Sequence, residues 1–213
     1  MSEERVVETN TVNEKETEVV DITTKTGDKG TSSLYNGKRF PKSDDHFQAL
    51  GSLDELNSFI GLAREYLDDR CRNVDTMLEK IQCILFDVCA SVATPLTSSR
   101  KAAIEKTRFD SNNTKRLEAW CLELDKELPR QDSFLLPSGG KAASHLHVAR
   151  SVCRRAERWM APLLSAGDID SDVYCFVNRL SDYLYIAARY VSMREDNPPK
   201  KWYKMQKKKK KKK

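Results

Sequence analysis

Apolar residues recur three or four positions apart along most of the chain, which is the spacing of one buried stripe on an α-helix. This pattern predicts five amphipathic helices, and no long alternation of apolar and polar residues competes with them. Proline follows three of the stretches, at Pro95, Pro129 and Pro198, and predicts where they end. Because the connections are short to moderate, the sequence predicts an all-α fold, a five-helix bundle. The predicted helices span residues 45–67, 75–93, 113–128, 141–164 and 171–195.

Composition divides the chain into three segments. Residues 1–22 are acidic and polar, resemble neither a signal peptide nor an arginine-rich transit peptide, and predict a disordered lead-in. Residues 23–196 hold the predicted domain. Residues 197–213 are predicted to form a disordered tail that ends in seven consecutive lysines. Translation through an A-rich stretch produces such a run, so an artefactual end and a genuine basic tail both remain open.

The formal net charge of +5 comes from the lysine run at residues 207–213. Without those seven lysines, 30 of the 37 basic residues remain against 32 acidic ones, a net charge of −2. We therefore expect no nucleic-acid partner for the domain, and salt-sensitive binding through the tail is a minor alternative.

No apolar run approaches the ~20 residues of a membrane span, so no membrane partner is expected. The six cysteines form no C-x-x-C pair, which argues against a zinc site or a disulfide framework.

The fourth predicted helix carries a polar face that packing does not explain. At about 100° per residue from Arg150, Arg154 lies at about 40°, Glu157 at about −20° and Arg158 at about 80°, whereas Arg155 lies at about 140°. Arginines spaced by one turn repel one another. We therefore expect an anion to complete this face, either a ligand or a partner's carboxylate. A solvated helix face with one internal ion pair is the alternative.

The fifth predicted helix has a similar polar stripe, in which Asn178, Asp182, Tyr185 and Arg189 lie within about 60° of one another. Ordinary surface decoration is the alternative there. Residues 24–33 combine glycines, hydroxyls and lysines, the chemistry of a phosphate-binding loop, although they lack the Walker A spacing. Taken alone, these residues favour a plain turn.

The segment before the fourth helix also has a structural interpretation. Leu136-Pro137-Ser138-Gly139-Gly140-Lys141 can be a helix entry with Ser138 near the cap. The histidines predict no catalytic or metal site, because His145 and His147 face different ways on a helix and no Ser-His-Asp pattern exists.

Five segments carry a resemblance when they are taken in order. They are T-K-T-G-D-K-G-T-S-S at 24–33, D-E-L-N-S-F-I-G at 54–61, F-L-L-P-S-G-G at 134–140, R-S-V-C-R-R-A-E-R at 150–158 and N-R-L-S-D-Y-L at 178–184. Together they resemble the PduO-type ATP:cob(I)alamin adenosyltransferases, nearest the animal mitochondrial members, over about residues 23–195. The lysine run has no counterpart in that family.

The resemblance implies a five-helix bundle that forms a homotrimer with active sites between subunits. It implies transfer of the 5′-deoxyadenosyl group of ATP, with Mg²⁺, to cob(I)alamin, giving adenosylcobalamin and tripolyphosphate. A non-catalytic cobalamin carrier is the alternative function. A reductase that supplies cob(I)alamin and a cobalamin-dependent mutase are the implied partners. The implied location is mitochondrial; since no transit peptide is visible, either the start lies upstream or the protein is not imported and is cytoplasmic.

The resemblance also assigns residues. Phe134 is expected to displace the lower axial base of cobalamin, and Asp182 is expected to lie on the cobalamin side of the active site. Phe134, Asp182 and Arg154 are the residues expected to act in catalysis. Asp54 and Arg150 resemble a pair that joins neighbouring subunits, while no side chain is expected to bind a metal directly. The implied ATP contacts are Thr24, Lys25, Thr26, Gly27, Ser32, Ser33, Lys42, Arg154, Arg155, Ala156, Glu157, Arg158 and Asn178.

Overall fold

The computed structural model describes residue 23 and residues 25–205, so the predicted lead-in, Thr24 and the lysine run lie outside the described residues. Two three-residue strands form an antiparallel hairpin, and all other regular structure is helical. The strands are β1 (Thr31–Ser33) and β2 (Arg39–Pro41). The helices are α1 (Asp45–Arg64), α2 (Arg72–Val92), α3 (Lys101–Lys106), α4 (Asn112–Asp125), α5 (Lys141–Ser165) and α6 (Ser171–Arg194).

The five predicted helices correspond to α1, α2, α4, α5 and α6 and form a bundle. α5 packs between α1 and α6, α2 lies on the outer side of α1, and α4 lies on the outer side of α6. α1 and α5 run antiparallel, because His46 at the start of α1 lies beside Asp168 just after α5. At the opposite end, the ring of Tyr66 stacks on that of His145. One continuous apolar core fills the bundle.

Two aspartates mark the starts of α1 and α6, the helices on either side of α5. The Asp44 carboxylate accepts a hydrogen bond from the backbone N–H of His46 at 3.0 Å, and Asp170 accepts one from Asp172 at the same distance. Each carboxylate satisfies an amide that the first helical turn leaves without a partner. The N-termini of α1 and α6, and the side chains they carry, are therefore fixed by local sequence.

The structure adds detail to the sequence-based outline in three places. The short helix α3 was not predicted, because six residues cannot establish a helical period. Residues 23–42, whose sequence shows no helical period, contain the short strands of the hairpin, and the amide of Tyr35 donates to the carbonyl of Ala93 at 2.9 Å. Hydrogen bonding also continues beyond residue 196, since the Trp202 amide donates to the Phe134 carbonyl at 2.8 Å. None of the helices in the described part of the chain is both long and apolar enough to cross a membrane.

Candidate active site

A polar concavity lies between the second half of α5 and the start of α6. Arg154, Glu157 and Arg158 of α5 line it together with Tyr174 of α6. The Glu157 carboxylate accepts a hydrogen bond from the side-chain amide of Asn178 at 2.7 Å and one from the Tyr174 hydroxyl at 3.5 Å. Burial, followed by the nearby Glu157 charge, raises the pKa of Tyr174. The two polar faces that the helical spacing predicted are therefore joined through Glu157.

The two arginines of this concavity have no acidic partner among the residues that the structure describes. Arg154 and Arg158 are exposed, and Arg158 donates to the backbone carbonyl of Arg154 at 3.1 Å. Guanidinium groups donate in pairs to phosphate oxygens and stay charged at all physiological pH values. The concavity therefore presents cationic donors that are available to an anion.

Two neighbouring residues differ from their predicted roles. Arg155 forms an ion pair with Glu55 of α1, so its charge already has a partner within the chain. This agrees with its position at the edge of the predicted polar face. Ala156 is fully buried in the core, and its side chain cannot reach a ligand in the concavity. The predicted contact of Ala156 with ATP stays a prediction, and the burial of its side chain against the core does not support it.

The residues predicted to join subunits face different surfaces of one chain. Asp54 lines a groove between α1 and α2 beside Cys83 and the largely exposed Phe86. The Arg150 guanidinium lies 5.8 Å from the ring centre of Tyr185 on α6, and its buried Nε has no hydrogen-bond partner among the described residues. Asp54 and Arg150 form no ion pair within the described chain. The described residues therefore supply no ion-pair partner to either side chain.

Residues 25–42 form the hairpin and the loop that precedes it. Arg39 holds this segment together, because its guanidinium donates to the carbonyl of Thr26 at 2.6 Å, the hydroxyl of Thr31 at 2.8 Å and the hydroxyl of Ser33 at 3.2 Å. Lys25 has a φ of 52°, in the left-handed region that is unusual for a residue with a side chain. The loop is therefore shaped by contacts within the segment.

Gly27 allows a close approach within this loop. A Cβ at that position would lie 3.0 Å from Nζ of Lys42, so the lysine crosses directly over the glycine. Ser32 pairs with Phe40 across the hairpin, while Lys42 remains exposed. The structure thus brings Gly27, Lys42 and Ser33 into one small segment, as their predicted common role requires. Thr24 lies outside the described residues.

Asp182 is held by its neighbours on the α4 side of α6. Its carboxylate accepts a hydrogen bond from Arg179 at 3.2 Å, and Arg179 also donates to Glu118 of α4 at 3.1 Å. Asp182 remains largely exposed. It lies one turn beyond Asn178 on α6, so the stripe that the helical spacing predicted continues from the concavity towards the end of the bundle where α5 begins.

Phe134 projects from the loop before α5, and 77% of its surface is exposed. It lines a shallow apolar hollow with Leu136 and Trp202. The Phe134 ring is therefore not part of the apolar core. Ser138 does not cap α5, because its hydroxyl donates to the carbonyl of Leu136 at 2.9 Å and the residue at the cap position is Gly140.

The paired glycines after Ser138 have a packing role. Gly139 has a φ of 109°, and a Cβ there would lie 2.5 Å from the Ser192 hydroxyl at the end of α6. Only glycine adopts that conformation readily and leaves that space. The close contact places the Phe134 loop directly against the end of α6.

Sequence reasoning missed two residues that shape the site. Tyr174 lies four positions before Asn178, so it shares the polar face of α6, and the same helical spacing could have identified it. Arg39 had no such signal, because its role depends on how the hairpin folds back on residues 26–33. Within the described chain, no hydrogen bond or ion pair joins residues 25–42 to Arg154, Glu157 or Arg158.

Fold and site together define a helical bundle that presents a cationic face to an anion. A family model described as cobalamin adenosyltransferase matches residues 22–191. The chain therefore belongs to the cobalamin adenosyltransferase family, and the predicted family and enzyme class are confirmed. Among the described residues, no group of three or more histidine, cysteine, aspartate or glutamate side chains is arranged to hold a metal ion.

Relatives from animals and bacteria support this assignment. The chain is 46% identical over 190 residues to corrinoid adenosyltransferase MMAB of Bos taurus, covering 89% of this chain and 79% of that protein. It is 47% identical over 183 residues to the Homo sapiens protein of the same name, covering 86% and 73%. A phenylalanine-to-alanine variant of a PduO-type ATP:corrinoid adenosyltransferase from Lactobacillus reuteri, complexed with cobalamin and ATP, superposes with a TM-score of 0.79. The two sequences are 35% identical, and the match covers 86% of this chain and 100% of the bacterial chain.

Proposed function

We propose that this protein transfers the 5′-deoxyadenosyl group of ATP to cob(I)alamin. The Co(I) centre attacks the 5′ carbon with its electron pair, a cobalt–carbon bond forms, and the carbon–oxygen bond to the triphosphate breaks. Tripolyphosphate leaves with the electrons of that bond. Family membership supports this chemistry, and the unpaired Arg154 and Arg158 in the concavity are the structural observation that carries it.

The arginines stabilise the leaving group. Negative charge develops on the triphosphate as the carbon–oxygen bond breaks, and fixed cations favour that transition state over the bound substrate. Mg²⁺ enters as the complex with ATP and shares this role. Glu157 orients Asn178 and Tyr174 at the edge of the concavity, so that their polar groups are fixed before ATP binds.

The complete site is formed in a homotrimer. Among the described residues, Lys25, Lys42, Ser32 and Ser33 have no hydrogen bond or ion pair with Arg154 or Arg158, which supports a site in which a neighbouring subunit brings these lysines and hydroxyls to the phosphates. Asp54 of one subunit pairs with Arg150 of the next. The exposed Phe86 beside Asp54 is covered by the same interface.

The corrinoid binds between Asp182, near the middle of α6, and Phe134, whose loop lies at the end of α6. The exposed Phe134 ring occupies the lower face of the corrin and displaces the axial base, which leaves a four-coordinate cobalt that is easier to reduce. Asp182, fixed by Arg179, contacts the corrinoid from α6. Closure of the site excludes water and brings the 5′ carbon towards the cobalt.

Single-turnover formation of adenosylcobalamin from ATP and cob(I)alamin tests this function. Purified protein mixed with chemically reduced cobalamin and Mg-ATP should give one equivalent of adenosylcobalamin and tripolyphosphate per active site. Tight cobalamin binding without product would instead identify a carrier that delivers the cofactor to a mutase. In the cell we place the protein in mitochondria, where a reductase supplies cob(I)alamin and a cobalamin-dependent mutase receives the product.

A further inference from the structure

A short antiparallel pairing joins the C-terminal segment to the loop that carries Phe134. The backbone N–H of Trp202 donates to the Phe134 carbonyl at 2.8 Å, and the N–H of Leu136 donates to the Lys200 carbonyl at 2.8 Å. Beside them, the N–H of Lys200 donates to the Ser138 hydroxyl at 3.2 Å. Residues 134–138 therefore receive their backbone partners from residues 200–202.

A charged pair joins the same two segments, between Lys201, which lies opposite Leu135, and Asp132, two residues before Phe134. The Lys201 ammonium lies 2.9 Å from both carboxylate oxygens of Asp132. The hydrogen bond from Lys201 is the main reason that the pKa of Asp132 is lowered. Both side chains are largely exposed, so the pair contributes little to global stability. The ion pair instead favours one alignment of the two segments, because a shift of one residue in the backbone pairing would separate the two charges.

The other end of the C-terminal segment is attached to α6. The backbone carbonyl of Asn197 accepts one hydrogen bond from the Ser192 hydroxyl. The backbone N–H of Asn197 donates to the Ser192 carbonyl at 2.9 Å. The same Ser192 side chain contacts Gly139. Residues 197–202 thus bridge from the end of α6 to the Phe134 loop, and they fix the distance between the two.

The position of Phe134 depends on this bridge. Because 77% of its surface is exposed, side-chain packing holds the ring in place only weakly. Its backbone carbonyl, by contrast, has one partner, the Trp202 amide.

We propose that residues 200–202 position Phe134 for its contact with the corrinoid, with the Trp202 amide as the principal anchor and the Lys201–Asp132 pair setting the register. This inference rests on the proposed function, in which Phe134 displaces the axial base. Trp202 and Lys201 act through Phe134 and take no direct part in the reaction.

Backbone substitutions in the full chain test the anchor. Trp202→Pro removes both the amide donor and the indole ring, whereas Trp202→Ala removes the ring and keeps the donor. Tyr203→Pro is the matched control, since the Tyr203 amide makes no hydrogen bond among the described residues. The probe is the four-coordinate fraction of cob(II)alamin bound with Mg-ATP, measured by its absorption and paramagnetic resonance spectra.

We expect Trp202→Pro to lower that fraction about twofold to tenfold relative to Trp202→Ala, the loss that one net hydrogen bond represents. Tyr203→Pro should match the unmodified protein, and the KM for ATP should stay unchanged in all three variants. Equal fractions in Trp202→Pro and Trp202→Ala would overturn the anchoring role. Unmodified protein that forms no adenosylcobalamin would instead overturn the proposed function.

Charge exchange tests the register. Lys201→Glu and Asp132→Lys should each lower the four-coordinate fraction, and the double variant should recover it. Lys204→Glu makes the same change of charge at an exposed position without an ion pair among the described residues. If Lys201→Glu behaves like Lys204→Glu, or if the double variant shows no recovery, the pair does not set the register.

Discussion

The side-chain amide of Asn178 lies 2.7 Å from the Glu157 carboxylate and joins the polar faces of α5 and α6. The hydrogen bond holds the Glu157 carboxylate of α5 against α6, and among the described residues Glu157 forms no ion pair with Arg154 or Arg158. The arginines therefore stay free for an external anion. Three arginines spaced by one turn are tolerated on α5 because Arg150 packs on Tyr185 and the other two face solvent.

Replacing Arg154 should impair catalysis while the fold is retained. Arg154 is exposed, so Arg154→Ala leaves no cavity in the core. Losing one charge-assisted phosphate contact costs about 1.5–3 kcal/mol, which is a decrease of about 10–150-fold in kcat/KM for ATP. Steady-state kinetics measure the decrease. Arg108→Ala, at another exposed arginine, serves as the control; unchanged kcat/KM in Arg154→Ala would show that Arg154 is outside the nucleotide site.

Replacing Phe134 should affect the corrinoid more than ATP. The ring is largely exposed, so Phe134→Ala should keep the thermal stability of the unmodified protein within error. The four-coordinate cob(II)alamin signal should nevertheless be lost, while the Kd for ATP stays the same. Leu122→Ala removes another exposed apolar side chain, on α4, and should change neither quantity. An undiminished four-coordinate signal in folded Phe134→Ala would refute the role of the ring.

The subunit pair can be tested by exchanging its charges. Asp54→Arg places two positive charges at the interface and should dissociate the trimer, which sedimentation velocity detects. Arg150→Asp should do the same, and the double variant should recover assembly in part because the charges are again complementary. A stable monomer of the unmodified chain that is fully active would contradict both the trimer and the shared site.

The nucleotide segment should become protected when ATP binds. Residues 25–33 contain glycines at positions 27 and 30 and have little apolar packing, so their amides should exchange quickly in the free protein. Mg-ATP should slow exchange there and at α5 around Arg154. Hydrogen–deuterium exchange with and without Mg-ATP provides the measurement. Protection of α5 alone would remove residues 25–27 from the proposed site.

Stability should fall in mild acid because of His147. This residue is buried beside Tyr185, and burial, followed by the charge of Arg150, lowers the pKa of its ring. The unfolded chain therefore binds a proton more readily than the folded one, so the free energy of unfolding decreases as the pH falls below the ordinary histidine value of about 6.5. His147→Gln should flatten this decrease in denaturant titrations at several pH values. An unaltered slope in His147→Gln would exclude His147 as the cause.

The amphipathic spacing in the sequence was sufficient to predict all five long helices and the residues on the polar faces of α5 and α6. The reason is that helical geometry is local: residues three or four apart share a face whatever surrounds them. Arg154, Glu157, Arg158 and Asn178 were identified in this way before any tertiary contact was known. Asp44 and Asp170 likewise determine where their helices begin by local hydrogen bonds.

Only the tertiary structure decided which of these polar side chains can contact a ligand. Arg155 and Arg154 are adjacent and chemically identical, yet Arg155 is paired with Glu55 across a helix contact whereas Arg154 has no ion pair among the described residues. Arg39 shapes the hairpin segment through contacts that exist only after the chain folds back on itself. Trp202 reaches Phe134 from 68 positions further along the chain. Such contacts depend on the packing of distant segments, which no periodicity in a single sequence encodes.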